Sequence, residues 1–184
     1  DDYLMGITHV IRGEEFISST PKHIQLYKAF RWNQPVFAHL PVILGRDKSK
    51  LSKRSGAKSV LEYRDEGYIR EAILNYMVLV GWVPPDGQEQ MSIEKMTELF
   101  DLKDINTANP IFDTQKLEWF NGVWIRSIYE EDKKNNTTQL ETKLLEFYKG
   151  NKEIEGIISG QQGHLFIDLA STRMKTLNDF GDLV

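Results

Sequence analysis

Apolar residues recur along this chain with two different periods. Up to about residue 44 they come in short runs. Leu4, Met5, Ile7, Val10 and Ile11 suit strand pieces around Gly6, and Val36 to Leu44, rich in β-formers and punctuated by Pro41, predicts a short strand. Between them Thr20-Pro21 marks a helix start, with Thr20 as cap and Pro21 at the first helical position. Ile24, Tyr27, Ala29 and Phe30 supply the apolar side of that helix, and Gln34-Pro35 breaks the pattern. From Leu61 the period is helical: Ile69, Ala72, Ile73, Tyr76, Met77 and Val80 share one face. Gly81 is expected to end that helix, ahead of a turn at Pro84-Pro85-Asp86-Gly87. Ser92 and Asp113 read as caps of two further helices, the second closed by Asn121-Gly122. Asn135-Asn136-Thr137-Thr138 is a polar break and an expected domain border. Leu140, Leu144 and Tyr148 then mark a helix, Gly160 to Gly163 a second break, and Leu165–Ala170 and Met174–Phe180 helical segments.

The pattern therefore predicts a mainly α chain with a small α/β part at its start. With 184 residues, 40% of them hydrophobic, the chain can bury one ordinary core or two small ones. The net charge of -4 removes any chain-wide attraction to nucleic acid, so such binding would need local patches. With no cysteine there is no disulfide framework and no thiolate metal site, and His9, His23, His39 and His164 lack metal-ligand spacing; each reads as structural. No apolar run is long enough to cross a bilayer, and the start carries no basic and apolar leader, which fits a cytoplasmic protein with no membrane partner. The first residue is not Met, so the sequence reads as a piece of a longer chain.

One stretch changes this picture. Arg46 to Lys58 holds six cations, Arg46, Lys48, Lys50, Lys53, Arg54 and Lys58, against Asp47 alone, in a Ser- and Gly-containing segment that reads as a flexible loop. Lys50 and Lys53 in Lys50-Leu51-Ser52-Lys53-Arg54 could close on a polyphosphate from two sides, with Ser52 and backbone N–H groups adding hydrogen bonds. On residue types alone, a solvated basic loop or a generic RNA contact is the better explanation.

The same five residues resemble the KMSKS-type signature of class I aminoacyl-tRNA synthetases, in the Lys-Leu-Ser-Lys-Arg form of the glutamyl enzymes. The block from Asp1 to Glu15 is similar to the glutamyl-tRNA synthetase family, as are Ser19-Thr20-Pro21-Lys22 and Phe37-Ala38-His39-Leu40-Pro41. Glu62 to Tyr68, Leu74-Asn75-Tyr76, Val80-Gly81-Trp82, Phe112-Asp113, Lys116-Leu117 and Trp119 to Gly122 continue the likeness to about residue 126. On these blocks the chain is identified as a member of the bacterial-type glutamyl family. The resemblance implies the C-terminal portion of a Rossmann-like nucleotide-binding domain over 1–54, a helical stem-contact domain over 55–130, and the start of a helical anticodon-binding region from 131.

It also implies an activity: glutamate and ATP, with Mg2+, give glutamyl-adenylate, and the glutamyl group passes to tRNA(Glu), in a monomeric cytoplasmic enzyme. Lys50 and Lys53 would stabilise the reacting phosphates, with Lys53 the more important, and Ser52 would assist. Val42 and Ile43 would meet the adenine, and Phe16 would lie beside the nucleotide. Arg12 would pair with the side-chain carboxylate of glutamate, a task suited to a guanidinium fork; read without the family, it could equally pair with Glu14 or Glu15. Glu15 reads either as a support near the nucleotide or as a helix-start carboxylate. Lys58, Arg64 and Arg70 are candidates for tRNA phosphates or for solvated helix faces. Trp82, Trp119 and Trp124 read as core residues rather than stacking platforms. The HIGH-type tetrad of the class is not in this sequence, so the chain is expected not to activate glutamate alone. Glutaminyl-tRNA synthetase and a non-catalytic tRNA-binding module are the alternatives. The helical period downstream of the loop argues against the first, which continues into β-barrels.

Overall fold

A computed structural model describes residues 1–52 and 57–184. After an opening turn, β1 (His9–Gly13) pairs in parallel with β2 (Val36–Leu40), in a register that sets Arg12 beside His39. The crossover between them is a 3-10 turn (Glu14–Ser19) and α1 (Thr20–Ala29). Thr20 does not cap α1. It is the first helical residue, Ser19 stands at the cap, and the Thr20 hydroxyl is used elsewhere. β2 is shorter than the pattern from Val36 to Leu44 suggested: it stops at Leu40, where Pro41 removes a ladder donor.

The helical part comprises α2 (Val60–Asp65), α3 (Arg70–Gly81), α4 (Ile93–Leu99), α5 (Thr114–Asn135), α6 (Gln139–Phe147), α7 (Lys152–Ile158), α8 (Gly163–Ser171) and α9 (Asp179–Leu183). Ser59 opens α2 through a reciprocal capping box with Glu62, and Ser92 and Asp113 cap α4 and α5 as their positions suggested. α3 buries Ala72, Ile73 and Tyr76, while Met77 of the same stripe stays exposed. α7 was hidden in the sequence, and of Met174–Phe180 only the last two residues belong to a helix, α9.

Asn121-Gly122 does not end α5, which runs on to Asn135 and stops there with Asn136 left-handed. Asn121 is fully buried: its side-chain oxygen accepts from the Ile69 N–H at 2.9 Å and its amide donates to the Lys175 carbonyl at 2.5 Å. Gly122 lies against the Met174 carbonyl, where a Cβ would sit 3.1 Å from that oxygen. The pair therefore docks the 174–177 segment onto the middle of a helix. Gly67, at φ +87, completes the joint by accepting the Leu177 N–H at 2.8 Å.

Two larger clusters and a small one fill the interior. Ile69, Ala72, Ile125, Leu140, Leu144, Met174 and Phe180 belong to one that spans α3, α5, α6 and the C-terminal helices. Tyr63, Tyr76, Phe112, Leu117 and Phe120 form the core of the second, and Trp82, Met91 and Met96 the third. The border expected after residue 130 falls inside α5, and the first cluster crosses it.

Candidate nucleotide and carboxylate site

Arg12 stands on β1, and the parallel register brings His39 alongside it. Its Nε donates to His39 Nε2 at 3.2 Å, Nη1 to His23 Nδ1 at 3.2 Å, and Nη2 to the Thr20 hydroxyl at 2.8 Å. Thr20 in turn donates to the Phe16 carbonyl at 2.8 Å. A guanidinium can only donate, so both imidazole nitrogens accept. The Phe16 and Phe37 rings each lie 5.2 Å from the guanidinium carbon. With three of its five N–H groups engaged, Arg12 keeps one on each terminal nitrogen. The pairing with Glu14 or Glu15 considered from the sequence is not among these contacts. Glu15 instead faces Lys50, whose Nζ lies 3.8 Å from its carboxylate.

That contact ties the basic loop to the turn that follows Arg12. The root of the loop is a closed turn rather than a flexible span. Gly45 N–H donates to the Ser49 carbonyl at 2.8 Å, Lys48 is left-handed at φ 61, and the Ser49 N–H and hydroxyl both bond Asp47. The Ser49 backbone and hydroxyl hold the Asp47 carboxyl below its usual range. Leu51 N–H donates to the Ile43 carbonyl at 2.9 Å, and Leu44 bridges both Lys50 and Ile111. Leu51 and Ile43 both pack on the Tyr63–Phe112 cluster. Arg46 reaches the α5 cap, with Nη2 3.1 Å from Asp113 and 2.6 Å from the Gln115 side chain. Burial alone would raise the Asp113 carboxyl, but the Lys116 N–H, Arg46 and the Gln115 N–H outweigh it and lower it.

Lys50 thus meets the 3-10 turn that follows Arg12 on β1, through Glu15. Phe16 is exposed beside Arg12, and Val42 and Ile43 are half-buried at the end of β2. Lys53 lies outside the described residues.

Residues 1–119 match the model of the class I tRNA synthetases (E and Q), catalytic domain. The chain belongs to that family. It is 56% identical over 133 residues to a glutamate–tRNA ligase of Aquifex aeolicus, covering 72% of this chain and 28% of the relative. A Deinococcus radiodurans glutamate–tRNA ligase is 39% identical over 184 residues, all of this chain and 37% of the relative. Among solved structures, a glutamate tRNA ligase from Elizabethkingia meningosepticum, in complex with its amino acid, superposes with a TM-score of 0.81 at 31% identity, over 99% of this chain and 38% of that one. The chain therefore spans between a quarter and two fifths of these relatives.

In this synthetase chain two of the residues expected to touch tRNA make ion pairs of their own. Lys58 pairs with Glu66 at 2.5 Å and Arg64 with Asp65 at 2.9 Å, all four exposed. Arg64 and Arg70, with Lys143, line a groove of about 660 Å³ between α2, α3 and α6. Trp82 is buried, and Trp124 packs between the two larger clusters while donating to Asn75 at 3.2 Å. Trp119 overturns its reading as core: it is 54% exposed, on the side of α5 opposite the buried Leu117 and Phe120. Sequence reasoning missed His23 and His39. Their approach to Arg12 depends on the crossover closing, and no local spacing signals it.

Proposed function

We propose that this chain is part of a glutamate–tRNA ligase and carries the glutamate side-chain ligand together with one side of the ATP site. The observation that carries the reading is Arg12, held by uncharged acceptors and separated from Lys50 only by the turn containing Glu15 and Phe16. The two remaining N–H groups of Arg12 suit a carboxylate. Lys50 meets Glu15 on the turn that follows Arg12, which supports a role for it at the triphosphate beside the same pocket. The α-carboxylate of glutamate attacks the α-phosphate of ATP, an O–P bond forms, the bond to the β-phosphate's bridging oxygen breaks, and pyrophosphate leaves. Lys50 and Lys53 neutralise charge on the transferring and departing phosphates, with Mg2+ entering as the partner of ATP.

Ser52 adds a hydrogen bond, Phe16 lies against the nucleotide, and backbone groups of Val42 and Ile43 read the adenine edge. Ile43 gives its carbonyl to Leu51, so its N–H and the groups of Val42 serve that purpose. In the second step a terminal ribose hydroxyl of tRNA(Glu) attacks the adenylate carbonyl, the ester forms and AMP leaves, with Lys58 and Arg64 on the tRNA phosphates. The helical course from α2 to α9 supports the glutamyl over the glutaminyl reading. Because the sequence holds no HIGH-type tetrad, no pyrophosphate exchange is expected from the 184 residues alone.

In the full-length protein, Arg12→Ala should raise KM for glutamate on the order of a hundredfold, leave KM for ATP within about threefold and spare tRNA affinity. Loss of tRNA affinity with an unchanged glutamate KM would favour a tRNA-binding module instead.

A further inference from the structure

Arg12 is fixed on three sides by groups that carry no negative charge. His39, His23 and Thr20 take its Nε, Nη1 and Nη2 at 3.2, 3.2 and 2.8 Å. Glu15, at the start of the 3-10 turn that follows Arg12, is directed at Lys50. A carboxylate in place of any of the three acceptors would hold a guanidinium at least as firmly, since charge-assisted bonds are the stronger ones. It would also cancel the positive charge. The arrangement therefore separates two jobs that an ion pair would combine: it sets the position of the fork and leaves its charge uncompensated. The rings of Phe16 and Phe37, each 5.2 Å from the guanidinium carbon, restrict it further without neutralising it.

We propose that His39 and His23 are positioning residues that set the charge specificity of the pocket. By holding Arg12 through uncharged acceptors, they make the site require an anionic side chain and reject its amide. The inference rests on Arg12 being the ligand of the glutamate side chain. An amide brings one acceptor and one N–H₂ group. Opposite two donors of Arg12 the N–H₂ finds no partner, and the cation finds no counter-charge. The parallel register explains why His39 can act this way: the residue paired with Arg12 across the sheet lies alongside it. His23, one helical turn beyond Thr20 on α1, reaches the opposite terminal nitrogen.

The test is pyrophosphate exchange by the full-length protein, with KM measured separately for glutamate and ATP and with glutamine as the competing substrate. His39→Ala should raise KM for glutamate about tenfold and leave KM for ATP within about twofold, as loss of one bond to a charged group predicts. His39→Gln, which restores an uncharged acceptor, should recover most of that loss. His39→Glu should be worse than alanine for glutamate, on the order of a hundredfold, and should narrow the preference for glutamate over glutamine. The same order is expected at His23. In an Arg12→Ala background, His39→Ala should add less than about twofold, because it acts through Arg12. A His39→Glu protein that binds glutamate as well as the parent overturns the proposal. So do equal rises in both KM values, with or without a lower melting midpoint. If His39→Ala and His23→Ala are silent while Arg12→Ala raises the glutamate KM, the positioning idea fails and the role of Arg12 stands. If Arg12→Ala itself is silent, the underlying reading fails.

Discussion

The α/β segment and the helical body are held together in different ways. Among the described residues before Ala57, Pro35 alone is buried, and β1 and β2 leave Ile11 and Val36 exposed. From Tyr63 onward, buried side chains recur in every long helix and join into the clusters on α3 and α5. Two parallel strands with little burial on either face are marginal in water, whereas helices that share a core support one another. The candidate chemistry sits almost wholly on the weaker region. What fixes Arg12 is a polar lattice and two rings, not a hydrophobic core. The loop root borrows its firmness from the helical body, through Leu44, Leu51 and Arg46 against the 111–115 segment.

The largest effect that sharpens this contrast comes from emptying one side chain in each region. Phe180 has no exposed surface and belongs to the cluster shared by α3, α5 and α6. Phe180→Ala should cost about 3–5 kcal/mol of unfolding free energy, as large cavities in packed cores do. Leu26→Ala on α1, where the leucine is 56% exposed, should change the same quantity by less than about 1 kcal/mol. Urea unfolding followed by far-UV circular dichroism of the 184-residue chain measures both. Comparable losses would mean that α1 is as tightly packed as the helical body.

How far the sequence reveals each region follows from the same physics. The 3.6-residue stripe of α3, the caps Ser59, Ser92 and Asp113, and the break at Asn136 are local, and each is readable because a helix satisfies itself within a few residues. Of these caps, that of Ser59 escaped, its partner Glu62 lying inside a family block. Asn121-Gly122 misled because its local chemistry is that of a turn, while its use is a long-range joint to Lys175 and Met174. At the site, Arg12 and the loop were visible through the family motif. His23 and His39 were not, since an uncharged acceptor 27 residues away leaves no periodic trace. Asp132 escaped for the same reason: it sits inside α5 yet accepts from the N–H groups of Gln139 and Leu140 and from the Thr137 hydroxyl, doing for α6 what Thr138 does not.

That carboxylate provides the intermediate effect. Burial alone would raise its pKa, but the Leu140 N–H, the Thr137 hydroxyl and the Gln139 N–H together hold it below the usual range. A lowered folded-state value gives stability that is fully present above the ordinary unfolded range, about pH 4, and is lost as pH falls through the folded value. Asp132→Asn should therefore be less stable than the parent by about 2 kcal/mol at neutral pH, the worth of bonds to a buried charge. The gap should narrow steadily below about pH 4. The helical body thus acquires an acid-sensitive joint at the turn between α5 and α6. A gap independent of pH would instead assign Asp132 a packing role and remove the electrostatic part of the contrast.

The smallest effect on stability separates folding from function at the seam between the two regions. Lys58 ends the basic loop just before α2, pairs with Glu66 at 2.5 and 2.7 Å, and lies 5.8 Å from the Tyr63 ring centre. Its side chain is 43% exposed, and an ion pair so wet contributes little, so Lys58→Met should move the unfolding free energy by less than about 0.5 kcal/mol. Its proposed work lies on tRNA. A lysine that leaves Glu66 for a phosphate releases a counterion, so the same variant in the full-length protein should weaken tRNA binding across sequences. The slope of log affinity against log salt should fall by about one. Glu66→Gln should act in the opposite direction, freeing the ammonium and tightening binding at low salt. If neither variant changes the slope, Lys58 belongs to the fold alone, and the proposed tRNA contact is better sought at Arg64 and Arg70 along the groove between α2, α3 and α6.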